Sequence, residues 1–259
     1  MIYHAETFPW QASRGIAGQW LPGRRVGIRV AILTVRAWDE SQQFENYICT
    51  AGEFALCNVS APSGGFQKLH VTLVTASRDV IANKGEPNPH AKLNQPQAID
   101  DTDNAASVSS LIKFGKFKFL TCGDLTWNIE AKLMTPNNPL GTVDVFMVTH
   151  HGLGVSNNPV LVLAIDPVVT VMCNGPTKGG DPSTQATLKQ VKSLTAAYQL
   201  HRNVRLKDDE QTPKELIAND NPTEGCKGVF VKLSVAADGA SYTVQIGAEG
   251  KSREFTTRE

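Results

Sequence analysis

Several features that would assign a sequence at once are missing from this chain. None of its 259 residues lies in an apolar run long enough to span a bilayer, which takes about 20 apolar residues in succession. Pro9, Trp10, Arg14 and Gly15 break up the segment from Met1 to Arg25, so it has no apolar core of the kind a secretory leader carries. Neither sign of charge is in excess: Lys plus Arg number 25 and Asp plus Glu number 25. A nucleic-acid-binding domain carries a basic footprint, so net charge indicates no nucleic-acid partner, and no membrane partner is expected. The five cysteines (Cys49, Cys57, Cys122, Cys173 and Cys226) are odd in number and include no Cys-x-x-Cys pair. That argues against a disulfide framework and a structural zinc knuckle, and a reducing, cytoplasmic setting is expected. No Gly-x-Ser-x-Gly elbow occurs, which puts metal-independent hydrolysis last among the enzymatic readings.

What remains is ordinary for a globular domain, with 41% hydrophobic and 19% charged residues. Residues 1–259 are read as a single domain. Arg25–Val35 alternates as a half-buried strand does, and so do Leu69, Val71 and Leu73. Asn83 to Asn104 holds three prolines and few apolar residues and reads as a long exposed loop. Ser107–Phe114 and Phe117–Cys122 flank Gly115-Lys116, a tight hairpin turn. A short helix is expected over Thr126–Met134, apolar strands over Val143–Val148 and Val168–Cys173, and a helix over Ser183–Leu194. Strands alternating with helices predict an α/β layered domain. Val229–Val235 and Tyr242–Ile246 would close it as a hairpin across Ala237-Asp238-Gly239.

In layered α/β domains ligands gather beyond the carboxyl ends of strands. Three such ends carry polar groups: Asp124, the pair His150-His151, and the loop Lys178-Gly179-Gly180-Asp181. Carboxylate oxygen and neutral imidazole nitrogen both suit zinc. Neighbours in an extended segment point to opposite faces, so at most one of the two histidines should meet a given ion, unless the strand has already turned. Each feature also has a plainer reading. Asp124 can cap the helix that follows, a strand-end histidine can be a structural residue, and Asp181-Pro182 makes a good helix start. Cys122 and Cys173 fit best as small core residues.

In this order the pieces resemble the later part of the metallo-β-lactamase superfamily, in the branch that includes the hydrolase domain of bacterial DNA-uptake channel proteins. The match runs through Asn104, Ser107, Gly115, Gly123-Asp124-Leu125, Asp144-Val145 and His150-His151-Gly152 with Ser156, then Pro167 to Cys173 and Asn174-Gly175. It is clearest over residues 100–194. The resemblance implies an αββα sandwich and one or two zinc ions at a sheet edge. Asp124 would then be the bridging carboxylate, His150 or His151 a ligand, and Asn104, Ser107, Ser156 and Asp181 supporting or substrate-contacting residues. It also implies hydrolysis of an ester-like or phosphodiester substrate.

The family's His-x-His-x-Asp-His signature does not occur: the six histidines are His4, His70, His90, His150, His151 and His201, and no two are separated by one residue. The usual Gly-His-Pro reads Gly180-Asp181-Pro182. The expectation is an N-terminally truncated family domain that completes its site with His4, His70, His90 or a second chain, as a homodimer or in a pairing with another subunit. The alternative is an inert remnant or partner subunit.

Overall fold

The computed structural model describes residues 54–60, 66–221, 226 and 228–259, with side chains from residue 69 onward. The strand expected over Arg25–Val35, and His4, lie outside the described residues. A nine-stranded mixed sheet organises the rest. β1 (Phe54–Ser60), β2 (Phe66–Ala76), β3 (Ser109–Phe114) and β4 (Phe117–Thr121) pair antiparallel in chain order. β5 (Val145–Met147), β6 (Val169–Met172), β7 (Ala196–His201) and β8 (Ile217–Asn219) follow in parallel. The short Asp79–Val80 pairs back onto β2. The chain is thus mixed α/β.

Pairing changes direction where the connections change. β3 and β4 meet through the two-residue turn at Gly115, whose φ of 57° suits glycine. Parallel neighbours need a crossover, and helices supply it: α1 (Trp127–Met134), α2 (Pro159–Ile165) and α3 (Pro182–Leu188). α2 opens with the Asn158 side chain accepting from Val160 N and with Pro159 in its first turn. The helical spacing over Ser183–Leu194 overshoots, because α3 ends at Leu188. Val191 and Leu194 still reach the same core from the turn beyond it.

Both faces of the central strands are covered. Leu120 and Phe146 face the helices with Leu133, Met134, Leu161 and Ile165. Phe119 and Val145 face the other way, which is why these strands read as unbroken apolar runs. That second face is covered by a three-stranded antiparallel sheet of β9 (Val231–Val235), β10 (Ser241–Ile246) and β11 (Ser252–Thr256). The expected closing hairpin therefore has a third strand. β11 buries only Phe255, which stacks on Tyr242 at 5.2 Å, and Tyr242 meets Phe117 at the same distance. Asp144 interrupts an apolar run for a structural reason: its carboxylate accepts from Lys118 N at 2.8 Å and from Arg258 N at 3.0 Å.

The loop over Asn83 to Asn104 is mostly exposed, as expected, but it is anchored. Buried Asn88 donates to Met134 O at 2.8 Å and Val160 O at 3.0 Å, and Trp127 Nε1 donates to Gln95 O at 2.8 Å. Among the described residues no helix is long and apolar enough to cross a membrane.

Candidate functional site

Parallel strands β4, β5 and β6 end at one edge of the sheet, and the loops leaving them converge there. β3 runs antiparallel to β4 and so begins at this edge. It brings Asn104 and Ser107 in the turn before it.

The loop after β5 decides the geometry. Its strand stops at Met147, and Thr149–Gly152 forms a tight turn in which His150 (φ 53°, ψ 46°) and His151 (φ 57°, ψ 13°) both take left-handed backbone. That conformation costs about 1–2 kcal/mol per non-glycine residue, so the surroundings must hold it. His150 N donates to Gly123 O at 2.9 Å, Gly180 N to His151 O at 2.9 Å, and Asp181 N to Gly152 O at 2.8 Å. Gly179 (φ 77°) lies so close that a Cβ there would run into the His151 carbonyl.

Because the strand has already ended, the alternation rule does not apply, and both imidazoles turn toward Asp124. His151 Nε2 lies 3.7 Å from Asp124 Oδ1, and His150 Nε2 lies 4.0 Å from Oδ2. At most one ring was expected to meet the site unless the strand had already turned, and the turn at Thr149–Gly152 is that case. Asp124 is also not the helix cap: Thr126 holds the N-cap position of α1, without a side-chain bond.

The hydrogen bonds behind the rings fix where their protons are. His151 Nδ1 is 2.8 Å from Cys173 O. A carbonyl only accepts, so that nitrogen carries the hydrogen. Ser156 Oγ gives its one hydrogen to Leu125 O at 2.7 Å and therefore accepts from His150 Nδ1 at 3.1 Å. In their neutral forms both rings present a bare Nε2 to the Asp124 carboxylate. For His150 the neutral form is favoured, because burial pushes its pKa below the ordinary value against the pull of Asp124. Asn104 Nδ2 stands 3.4 Å from His150 Nε2.

The other singled-out residues have supporting places. Ser107 packs against Gly123, where an added Cβ would sit 3.5 Å from Ser107 Cβ. Asp181 occupies the N-cap position of α3 but makes no side-chain cap bond. Its carboxylate instead accepts from Gly154 N at 2.9 Å and Arg205 Nη2 at 3.0 Å, tying the loop after β5 to the loop after β6. Burial pushes the Cys122 thiol up to about 12, as befits a core residue, and raises that of Cys173, which is only half-buried and outside the core.

His70 and His90 do not reach this edge. In the β2–β3 register Thr75 pairs with Ser109 at the site end, while His70 pairs with Lys113 beside the far turn, about 17 Å away by strand rise. His90 follows Asn88 at the C-terminal end of α1. His201 ends β7, two strands from His150 in the loop after β5.

Two features had no clear signal in the sequence. Glu130, in mid-helix, is fully buried behind the histidine turn; Oε2 accepts from Asn158 N at 2.8 Å, while Oε1 and Thr149 Oγ1 make no hydrogen bond. Burial raises its pKa to about 7. The second is a cavity of 360 Å³ beside His150, walled by Ile99, Asp100, Asn104, Trp127, Asn128 and Val155. A larger cavity of 580 Å³, bordered by Tyr198 and Arg253, holds none of these residues.

Among the described residues no group of three or more His, Cys, Asp and Glu side chains is set to hold a metal ion as placed here. No family model matches the chain, and no curated protein matches it.

Proposed function

We propose that this chain is a metal-dependent hydrolase of the metallo-β-lactamase superfamily, acting on ester-like or phosphodiester bonds. One observation carries the reading: the bonds behind both rings leave two Nε2 lone pairs facing one carboxylate, at 3.7 and 4.0 Å. Lone pairs and an anion repel unless a cation or proton lies among them, and a carboxylate with neutral imidazoles is a donor set that zinc takes. Asp124, His150 and His151 would hold the ion. Bound there, zinc supplies a water acidified toward neutrality and stabilises developing negative charge. Ser156 and the Cys173 carbonyl fix the orientation and tautomer of each ring. Asn104 contributes an N–H at the same point.

The layering of helices, a mixed sheet and a second sheet supports this reading, since an αββα sandwich adds one further helical layer. Three protein ligands are the set of a catalytic zinc site, while a two-ion site would need residues from 1–53 or from a second copy. The absence of a ready three-residue metal group among the described residues favours the second reading, an inert remnant or partner subunit. Purification without added zinc followed by metal analysis separates the two.

The deciding variant is Asp124→Asn, tested against ester, lactone and phosphodiester substrates. Metal content and hydrolysis should both be lost, with stability changed by no more than about 0.5 kcal/mol, as at a surface position outside the core. Hydrolysis that persists in this variant and in chelator overturns the proposal. So does an unmodified protein that, given zinc, neither binds it nor hydrolyses anything.

A further inference from the structure

The cavity beside His150 has walls of unequal character. One side is apolar: Trp127 is half-buried, and Ile99 and Val155 are 84% and 49% exposed. Large apolar side chains left in solvent beside a candidate catalytic group are more informative than isolated surface ones, because they frame a concave surface. The other side is polar and carries one charge, Asp100. Its carboxylate accepts from Thr102 N at 2.8 Å, and that bonding holds its pKa below the ordinary value. No Lys or Arg lines the cavity. Arg78, in the turn after β2, donates to the carbonyls of Asp101 and Thr102.

The loop forming the outer wall is fastened down. Gln97 N donates to Asn128 Oδ1 at 3.0 Å and Asn128 Nδ2 returns to Gln97 O at 2.8 Å. With the Trp127–Gln95 bond these contacts set the loop over the start of α1 and keep the cavity open beside His150. Its 360 Å³ falls at the small end of ligand pockets, which run from about 300 to 1,000 Å³.

We infer that this cavity is the subsite for the uncharged, partly apolar group flanking the bond to be cleaved, so that the substrate is a small neutral ester or lactone and not a phosphodiester chain. The inference rests on the proposed hydrolytic site for the position of that bond. A second phosphate of a polyanionic substrate would enter a space whose one charged lining residue is Asp100, and like charges repel. A neutral group meets the opposite situation: Ile99, Trp127 and Val155 supply apolar area, and the Asn104 amide nitrogen, 3.4 Å from His150 Nε2, places a donor group at the same wall.

Binding of two non-hydrolysable probes in chelator tests this without reference to metal or turnover. Phenylacetamide is the neutral probe and phenyl phosphate the anionic one, followed by nuclear magnetic resonance titration of the Trp127 indole, assigned with Trp127→Phe. Phenylacetamide should shift that resonance and bind at least about ten-fold more tightly than phenyl phosphate. Ile99→Asp, at an exposed position, should weaken phenylacetamide about ten-fold. Asp100→Asn keeps the acceptor for Thr102 N and should narrow the gap between the probes. Phenyl phosphate binding as tightly as phenylacetamide overturns the inference, as does a neutral probe indifferent to Ile99→Asp. If the probes behave as expected but the protein takes up no zinc and hydrolyses no ester, the hydrolase reading fails while the subsite stands.

Discussion

Ser156 Oγ lies between a backbone carbonyl and an imidazole, 2.7 Å from Leu125 O and 3.1 Å from His150 Nδ1. Ser156→Ala removes the acceptor and leaves a buried N–H unpaired, at a cost of about 1–3 kcal/mol. It also frees the ring to carry its proton on Nε2, where Asp124 would accept it. The expected outcome is a change in the His150 nitrogen resonances to the other tautomer, with zinc affinity about 10–100-fold weaker. An unchanged tautomer would show that Ser156 is only packing. Glu130 poses a different question, because its pKa is raised from 4.5 to about 7. The folded state therefore holds the proton over a pH range in which the unfolded chain has lost it. The stability this gives is full below pH 4.5 and lost as pH rises through about 7, by an order of 3 kcal/mol for 2.5 pKa units. Protonated, the carboxyl has an O–H to offer Thr149. Glu130→Gln should match the parent at pH 5 and exceed it in thermal stability at pH 8; equal pH profiles for the two proteins would refute the assignment.

Among the elements, the turn carrying the histidines depends on the loop after β6 for its shape. Gly179→Ala puts a methyl into the His151 carbonyl at a positive φ. The turn must move or the loop must, so a loss above about 2 kcal/mol is expected, together with loss of metal binding even though no ligand is altered. Normal zinc content in this variant would mean that the turn keeps its shape unaided. This dependence explains what could be read from the sequence. β5 and β6 were legible because both of their faces are buried. Asp124, His150 and His151 were legible by residue type. That Asp124 should meet one of the histidines at the sheet edge followed from the strand ends, but that both rings turn toward it did not: this requires two left-handed non-glycine residues in a row, and Asp124, His150 and His151 carry no mark of that. The groups orienting the rings include the carbonyls of Leu125 and Cys173, and every residue has a carbonyl. β7 escaped notice because Gln199, a polar residue, is fully buried in it, bonded to Gln185 Nε2 and Thr212 N. β11 escaped because it presents a single apolar side chain inward.

For the molecule as a whole, the two faces of the large sheet are covered in different ways. The helices that cover one face come from the crossovers between its own strands, so that each is in place as soon as its neighbours pair. The opposite face, with Phe117, Phe119, Val145, Val169 and Tyr198, is covered by Tyr242, Val244 and Phe255, and the Tyr242 hydroxyl reaches back 98 residues to Asp144 O. During synthesis from the N-terminus, at roughly 5–20 residues per second, the candidate site and the sheet beneath it are assembled first, with one apolar side still open to water for several seconds. Ribosome-stalled chains ending at residue 230 should bind an apolar-surface dye that the finished protein does not. The interval before β9–β11 emerge is when a holding chaperone, or another nascent copy of this chain, would find a surface to grip.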